Sequence, residues 1–311
     1  MKLSFVIPVF RNEGSITPTY EKLIELLTSL QLKSEFIFVN DGSDDNSIEE
    51  LMRLHKIDSR VKVISFSRNF GQVAAIIAGL KEVSGDSVVM MSADLQEPIG
   101  LIEEMISKWQ SGNEIVIGHR MDREDGFIAN KASNVFYKMM QYVNPKMPKG
   151  GFDFMLIDRK ALQVLNQIDE RNRFFQGDIL WLGFSTAFIP YTRLKRTIGK
   201  SQWTLAKKLK YFIDGLLNTS YVPIRLMSLL GICFSFFGFL YALIIAYNRF
   251  INNTPFTGWA PIMILILIIG GLIMLMLGII GEYVWRTYDE TRKRPIYIIK
   301  DKFIKEDEAN N

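Results

Sequence analysis

Cysteine and histidine are scarce in this 311-residue chain. Its single cysteine, Cys233, excludes an internal disulfide framework and a cysteine-built zinc site, and two histidines, His55 and His119, are too few for a histidine-rich metal centre. Any metal must be held mainly by oxygen. No GxGxxG or Walker-type loop is present, which removes support for dinucleotide binding and for a P-loop phosphate cradle. The N-terminal run MKLSFVIPVF is too short before Arg11 and Glu13 to serve as a secretory signal, so residues 1–220 are expected not to be exported.

Apolar side chains, by contrast, are abundant: 48% of residues are hydrophobic against 23% charged, which excludes a disordered or collagen-like chain, and the length allows one large or two ordinary domains. The mean hydropathy is +0.11, high for a chain with this many charges, so the apolar residues are unevenly spread. From Leu226 to Tyr247 and from Trp259 to Gly281 no residue is charged. Each run has about the 20 residues that a helix needs to cross a bilayer, whereas a helix in a soluble core is seldom apolar on every face for so long. Between them, NNTPFTG supplies a turn.

Charge divides the chain as well. Residues 1–100 carry 10 basic and 14 acidic side chains, and residues 101–220 carry 18 and 12, so the mild total of +4 conceals an acidic first part and a basic middle. Lys207, Lys208, Lys210 and Arg225 precede the first apolar run, Arg286, Arg292, Lys293 and Arg294 follow the second, and only Arg249 lies between. By the positive-inside rule both ends are expected to be cytoplasmic, at the plasma (bacterial inner) membrane. Between Trp203 and Val222, apolar residues at helical spacing with three lysines suit a helix lying on an anionic membrane surface, with a soluble amphipathic helix as the alternative. Trp203 reads as an interface anchor.

The first 120 residues alternate short apolar runs (LSFVIPVF, EFIFVN, VKVISFS, DSVVMMSAD, EIVIGHR) with segments of helical period. Such alternation predicts a mostly parallel sheet with helices on both faces, whose ligands bind beyond the carboxyl ends of the strands. Those ends carry the unusual polar residues: Arg11-Asn12-Glu13, Asn40-Asp41-Gly42-Ser43, Arg68-Asn69 and Asp94-Leu95-Gln96.

PVFRNE at 8–13, NDGSDDNS at 40–47, SRNFGQVAAIIAGL at 67–80 and SADLQEP at 92–98, in this order, resemble glycosyltransferase family 2. Within it the chain is similar to the polyprenyl-phosphate glycosyltransferases, which include dolichyl-phosphate mannose synthases and bacterial undecaprenyl-phosphate glucosyl and aminoarabinosyl transferases. GHRMDRED at 118–125, FDFMLIDR at 152–159, FFQGDILWLGF at 174–184, RTIGKSQW at 196–203 and GEYVWRTYDETRKRPIY at 281–297 extend the resemblance over nearly the whole chain. It implies a GT-A-type cytoplasmic domain over 1–200, a membrane-interface segment over 201–223, two transmembrane helices within 224–285 (226–247 and 259–281) and a cytoplasmic tail over 286–311. It also implies an inverting transfer of sugar from a UDP- or GDP-linked donor to a polyprenyl phosphate. No nucleic-acid partner is expected, and self-association is left open.

The resemblance assigns residues to this chemistry. Asp41 matches the family's nucleoside-binding acid, although Asp41-Gly42 also reads as a plain loop turn. Glu13 and the backbone around Pro8 and Phe10 would line the same pocket, together with Ser92, Ala93 and Asp94. The diphosphate calls for Mg²⁺ or Mn²⁺, held by one or two carboxylates plus phosphate oxygens. The family pattern is Asp-x-Asp-x-Gln, and here Ser92 stands at its first position, leaving Asp94 and Gln96 as metal ligands. Arg120, Arg123, Lys131, Arg196 and Ser201 match positions expected to face the acceptor phosphate and the departing diphosphate, a task that suits arginine's planar fork; a solvated basic surface is the alternative. Asp153 matches the acid of a DFRL segment, with Met155 in place of the arginine, and joins Asp94 and Arg120 as a catalytic candidate. Asp178 is a further candidate acid or a helix cap, and His119 is expected to make a structural hydrogen bond. A non-catalytic scaffold that binds nucleotide or lipid phosphate is the rival function. A polysaccharide synthase would require a QxxRW segment, and Gln176 is followed by GDILW.

Overall fold

The first four apolar runs form β1 (Lys2–Val9), β2 (Lys33–Asn40), β3 (Val61–Phe66) and β4 (Ser87–Met90), all parallel. The computed structural model describes residues 1–121, 141, 145–148, 151–194, 222–251 and 260–305, and divides into two units, Met1–Gly215 with Pro295–Asn311 and Leu216–Arg294. In the first unit, α1 (Ile16–Ser29), α2 (Ser47–Ile57), α3 (Gln72–Leu80) and α4 (Leu101–Gln110) alternate with the strands. Because side chains of a strand point alternately to its two faces, β1 feeds two cores: Leu3, Phe5, Ile7 and Val9 pack with Leu23, Leu51 and Ile102, whereas Val6 packs with Ala74 and Ala78 of α3. Burial on both faces explains why these strands read as continuous apolar runs. Helix α3 approaches β1 so closely that a Cβ on Gly79 would lie 2.5 Å from Val6 Cγ1.

Four more strands complete the sheet: β5 (Ile115–Arg120), β6 (Phe154–Asp158), β7 (Thr186–Tyr191) and β8 (Ile299–Phe303), in the order β7-β5-β6-β4-β1-β2-β3-β8. Strands β6 and β8 run antiparallel to their neighbours. Short helices α5 (Arg159–Leu165) and α6 (Phe175–Trp181) follow β6, and Asp158 caps α5 by accepting from the Lys160 amide at 2.8 Å. The chain winds from β1 through β2 and β3 in one direction, then returns to place β4 on the other side of β1, which puts a topological switch point between β1 and β4. Pairing with β4 ends at Val6, whereas pairing with β2 continues to Val9, so the strands part beside Pro8.

The tail after the second apolar run, expected as a separate segment, instead returns to the sheet. Strand β8 pairs with β3, Tyr297 stacks on Phe66 with ring centroids 5.0 Å apart, and Lys302 reaches Glu82 at 2.8 Å. An edge strand with mostly exposed side chains has no apolar run to announce it.

The second unit contains α7 (Val222–Phe250) and α8 (Ala260–Thr291), both longer than the uncharged runs because polar turns continue them, as with the Glu282–Arg286 pair at 3.0 Å. Both are long and apolar enough to cross a membrane. Their large apolar side chains are exposed, Phe237 by 65% and Met274 by 70%, which is the reverse of a soluble core helix.

One buried charge ties the strand layer together. Glu35 on β2 accepts from Ser4 Oγ (2.5 Å), the Ser84 amide and hydroxyl (both 2.6 Å) and Lys62 Nζ (2.9 Å). Burial raises its pKa, but these bonds outweigh it and hold the value at about 2. The folded-state value lies below the ordinary one, so the ionised carboxylate stabilises the fold above the normal carboxylate range, and that contribution is lost as pH falls toward 2. Glu35→Ala is expected to cost about 3–5 kcal/mol at pH 7, because Lys62 and two serines lose a buried acceptor. Thermal melting compared at pH 7 and pH 3 checks this, and the deficit should shrink at the lower pH.

Candidate active site

The loops at the carboxyl ends of β1, β2 and β3 are bound to one another through side chains. Asp41, 2% exposed, accepts from the Phe70 amide at 2.6 Å and the Gly71 amide at 2.9 Å. Gly42 has φ +64°, and a Cβ there would lie 2.4 Å from the Arg68 carbonyl carbon, so only glycine lets the two loops meet. Asp41-Gly42 is therefore more than a turn, because it clamps the loop that opens α3. Around β1, Asn12 Oδ1 accepts from the Phe10 amide (2.9 Å), and Arg11 grips Asp44 through two 2.6 Å bonds. Glu13 is exposed, accepts from Asn46 Nδ2 at 2.7 Å, and borders a crevice of about 520 Å³ along α2 whose lining includes neither Asp41 nor Asp94. Ala93 is buried, and its carbonyl accepts from Ser15 Oγ at 2.7 Å.

A second constellation lies at the ends of β4 to β7. Because β6 is antiparallel to β4 and β5, Asp153 at its start meets Arg120 at the finish of β5, with Nη2 to Oδ2 of 2.5 Å. Just past β7, Arg193 Nη2 lies 3.7 Å from Asp94 Oδ2. Leu95 takes the left-handed conformation, φ +57°, and the Gln96 amide turns back to Asp94 Oδ1 at 3.2 Å. Gln96 is tied to the β7 side: its Nε2 donates to the Leu194 carbonyl (3.2 Å) and its carbonyl accepts from the Leu194 amide (2.9 Å). Glu97 is 1% exposed and accepts from Ser92 Oγ at 3.0 Å. Burial, with the neighbouring charges of Asp153 and Asp94, pushes its carboxyl up to about 7. The Tyr191 hydroxyl is raised by burial and then by Asp153 and Glu97. Burial opposes the charge on Arg120, but Asp153 outweighs it and holds the guanidinium above its ordinary value.

Among the described residues, no three His, Cys, Asp or Glu side chains converge closely enough to hold a metal alone. The acid cluster nevertheless suits a divalent cation. Asp153 Oδ1 and Glu97 Oε2 are buried and find no hydrogen-bond donor among the described residues, and a buried carboxylate oxygen without a donor is stabilised by a positive ion.

Residues 4–165 match the description of glycosyl transferase family 2. The chain belongs to that family. It is 38% identical over 305 residues to the uncharacterized glycosyltransferase YkcC of Bacillus subtilis (strain 168), covering 97% of this chain and 94% of the relative. It is 34% identical over 302 residues to the prophage bactoprenol glucosyl transferase homolog of Escherichia coli (strain K12), covering 96% and 99%. The solved mannosyl-3-phosphoglycerate synthase of Rubrobacter xylanophilus is similar over 69% of this chain and 71% of that one, at 15% identity and a TM-score of 0.49.

In this family 2 glycosyltransferase the candidates fall into groups. Asp94, Arg120 and Asp153 come together with Ser92, whereas Pro8, Phe10 and Asp41 lie on the β1–β2 side of the switch point. Met155, where the family's arginine would stand, is 1% exposed and packs into the core, so it adds no charge to the site. Asp178 is neither a helix cap nor part of the acid cluster, since it pairs with Arg173 at 2.7 Å. His119 packs edge-on against Phe188 instead of making the expected hydrogen bond, and its Nδ1 finds no partner among the described residues. Arg123, Lys131, Arg196, Ser201 and Trp203, with most of the 201–223 segment, lie outside the described residues. Sequence reasoning missed Glu97, Tyr191 and Arg193. Glu97 sits inside the quoted SADLQEP segment, three residues after Asp94, and that was the signal available for it. Gln176, weighed only for a polymer-synthase motif, donates to the Phe152 carbonyl and so supports the segment that carries Asp153.

Proposed function

We propose that this glycosyltransferase moves a sugar, with inversion, from a nucleotide diphosphate to a polyprenyl phosphate, undecaprenyl phosphate in a bacterial membrane. The observation that carries the reading is full-length similarity to a bactoprenol glucosyl transferase homolog in a chain that adds two long apolar helices to a sheet whose acidic and basic residues meet at one edge. The nucleotide binds beyond the carboxyl ends of β1 and β4, with Asp41, the backbone of Pro8 to Phe10, and Ser92 to Asp94 around it, while Glu13 borders the separate crevice along α2. Asp94 and Gln96 are the residues that would hold Mg²⁺ or Mn²⁺. When bound, the ion neutralises charge on the departing diphosphate.

The acceptor needs no strong base, because a lipid phosphate is already an anion at neutral pH. One of its oxygens bonds to the anomeric carbon as the bond to the nucleotide diphosphate breaks, and the electron pair leaves on that diphosphate. The protein supplies position and charge. Arg120, oriented by Asp153, with Arg123, Lys131, Arg196 and Ser201, binds the acceptor phosphate and balances the leaving group. The two apolar helices anchor the chain in the bilayer with both ends cytoplasmic.

The test incubates full-length protein with UDP- and GDP-sugars, Mn²⁺ and undecaprenyl phosphate, and reads the lipid product by mass spectrometry. A sugar-phospholipid from one donor is expected. Nucleotide binding without lipid product from any donor would establish the scaffold instead. Arg196→Ala is expected to raise KM for the lipid phosphate roughly 10-fold or more, the cost of one charge-assisted contact, while leaving KM for the sugar donor within about 2-fold. Equal losses on both substrates would remove its acceptor role.

A further inference from the structure

We propose that Glu97, held in place by Ser92, supplies the second negative charge of the divalent-cation site in place of the carboxylate that the family pattern puts at position 92. The inference rests on the cation-dependent reading above and deepens it. Serine cannot provide an anion, yet it can donate, and Ser92 Oγ donates to Glu97 Oε1 at 3.0 Å. The loop is shaped to bring these two residues together. Leu95 is in the left-handed region and Asp94 Oδ1 receives the Gln96 amide, so residues 92–97 turn back on themselves and Glu97 returns to Ser92.

The second observation is the orphaned oxygen. Glu97 is 1% exposed, and its Oε2 finds no hydrogen-bond donor among the described residues. Its charged neighbours are Asp94, Asp153 and Arg193. Three carboxylates (Asp94, Glu97, Asp153) therefore share this pocket with two guanidinium groups, Arg120 and Arg193. Among the described residues Glu97 is the one of the three that forms no ion pair, and a buried carboxylate is held in its charged form when a cation stands beside it. With Asp94 as the ligand, the substitution at position 92 has moved the second carboxylate one step outward, from the ligand position to a residue that the serine supports.

Manganese binding tests this directly. Full-length protein in detergent is titrated with Mn²⁺ in the presence of UDP and, separately, GDP, and free Mn²⁺ is read by electron paramagnetic resonance. Glu97→Gln keeps the shape and the Ser92 bond while removing the charge, and it is expected to raise the Mn²⁺ Kd roughly 10–100-fold, the range typical of groups that support metal ligands. Adding a carboxylate at the family position in the double variant Ser92→Asp/Glu97→Gln should recover most of that loss. If Glu97→Gln binds Mn²⁺ as the parent does, even with a lowered melting point, the residue is only a structural partner of Arg193 and the proposal fails. If the double variant binds no better than Glu97→Gln, the exchange of roles between positions 92 and 97 fails. If the parent chain itself binds no Mn²⁺ with either nucleotide, the cation reading of the site falls first.

Discussion

Asp94→Ala is expected to lower sugar transfer by roughly 10³-fold, the rate equivalent of several kcal/mol of lost charge stabilisation at the leaving group. Asp94 is 5% exposed just past the strand that flanks the switch point, and it is the proposed cation ligand beside Ser92. Its loss would remove the proposed cation ligand and also leave Arg193, 3.7 Å away, without this carboxylate. The kinetic signature separates these consequences. If the metal role dominates, raised Mn²⁺ should restore part of the rate in Asp94→Asn, which keeps the shape and an oxygen donor. Near-normal turnover of Asp94→Ala with Mg²⁺ would sink the metal assignment.

The second large effect concerns the pair between β5 and β6. Arg120→Gln and Asp153→Asn are each expected to reduce transfer by about 10²–10³-fold, the cost of losing one group positioned against developing charge. The double variant should lose little more than the worse single variant, because each partner is useful only when the other orients it. The buried geometry supports this expectation: the two side chains are 14% and 29% exposed and 2.5 Å apart, so removing one strands the charge of the other. That penalty belongs near the low end of roughly 3–5 kcal/mol, since the pair keeps some access to water. Rates of the two single variants and the double variant, with melting points of the detergent-solubilised proteins, provide the check. Additive losses in rate would mean that Arg120 and Asp153 act separately.

The parallel layer was legible from residue order because each of β1 to β4 is buried on both faces and so appears as an apolar run bounded by polar loops. The two long apolar helices were legible as well, since a long run without charge is a continuous mark on composition. Strand β8 was not, because an exposed edge strand is held by backbone hydrogen bonds, one stacked tyrosine and an ion pair from Lys302, none of which makes an apolar run. Asp178 stayed open between an acid and a cap because its partner, Arg173, is revealed only by packing around α6.

The site divides along the same line. Asp41, Asp94 and Arg120 stand at strand ends that periodicity alone can locate, and the family resemblance gave them roles. Glu97, Tyr191 and Arg193 depend on contacts between β4, β6 and β7, which are separated by dozens of residues along the chain. The scarcity of cysteine and histidine, with which the chain first restricts its chemistry to oxygen ligands, is a matter of composition and was decided by sequence alone. Which carboxylates gather near Asp94 was decided by tertiary structure. An antiparallel β6 brings Asp153 to the same edge as Asp94, and a left-handed Leu95 folds Glu97 back beneath Ser92. Strand direction and a single backbone dihedral are properties of the folded chain, set by the packing of distant segments, and no local residue pattern encodes them.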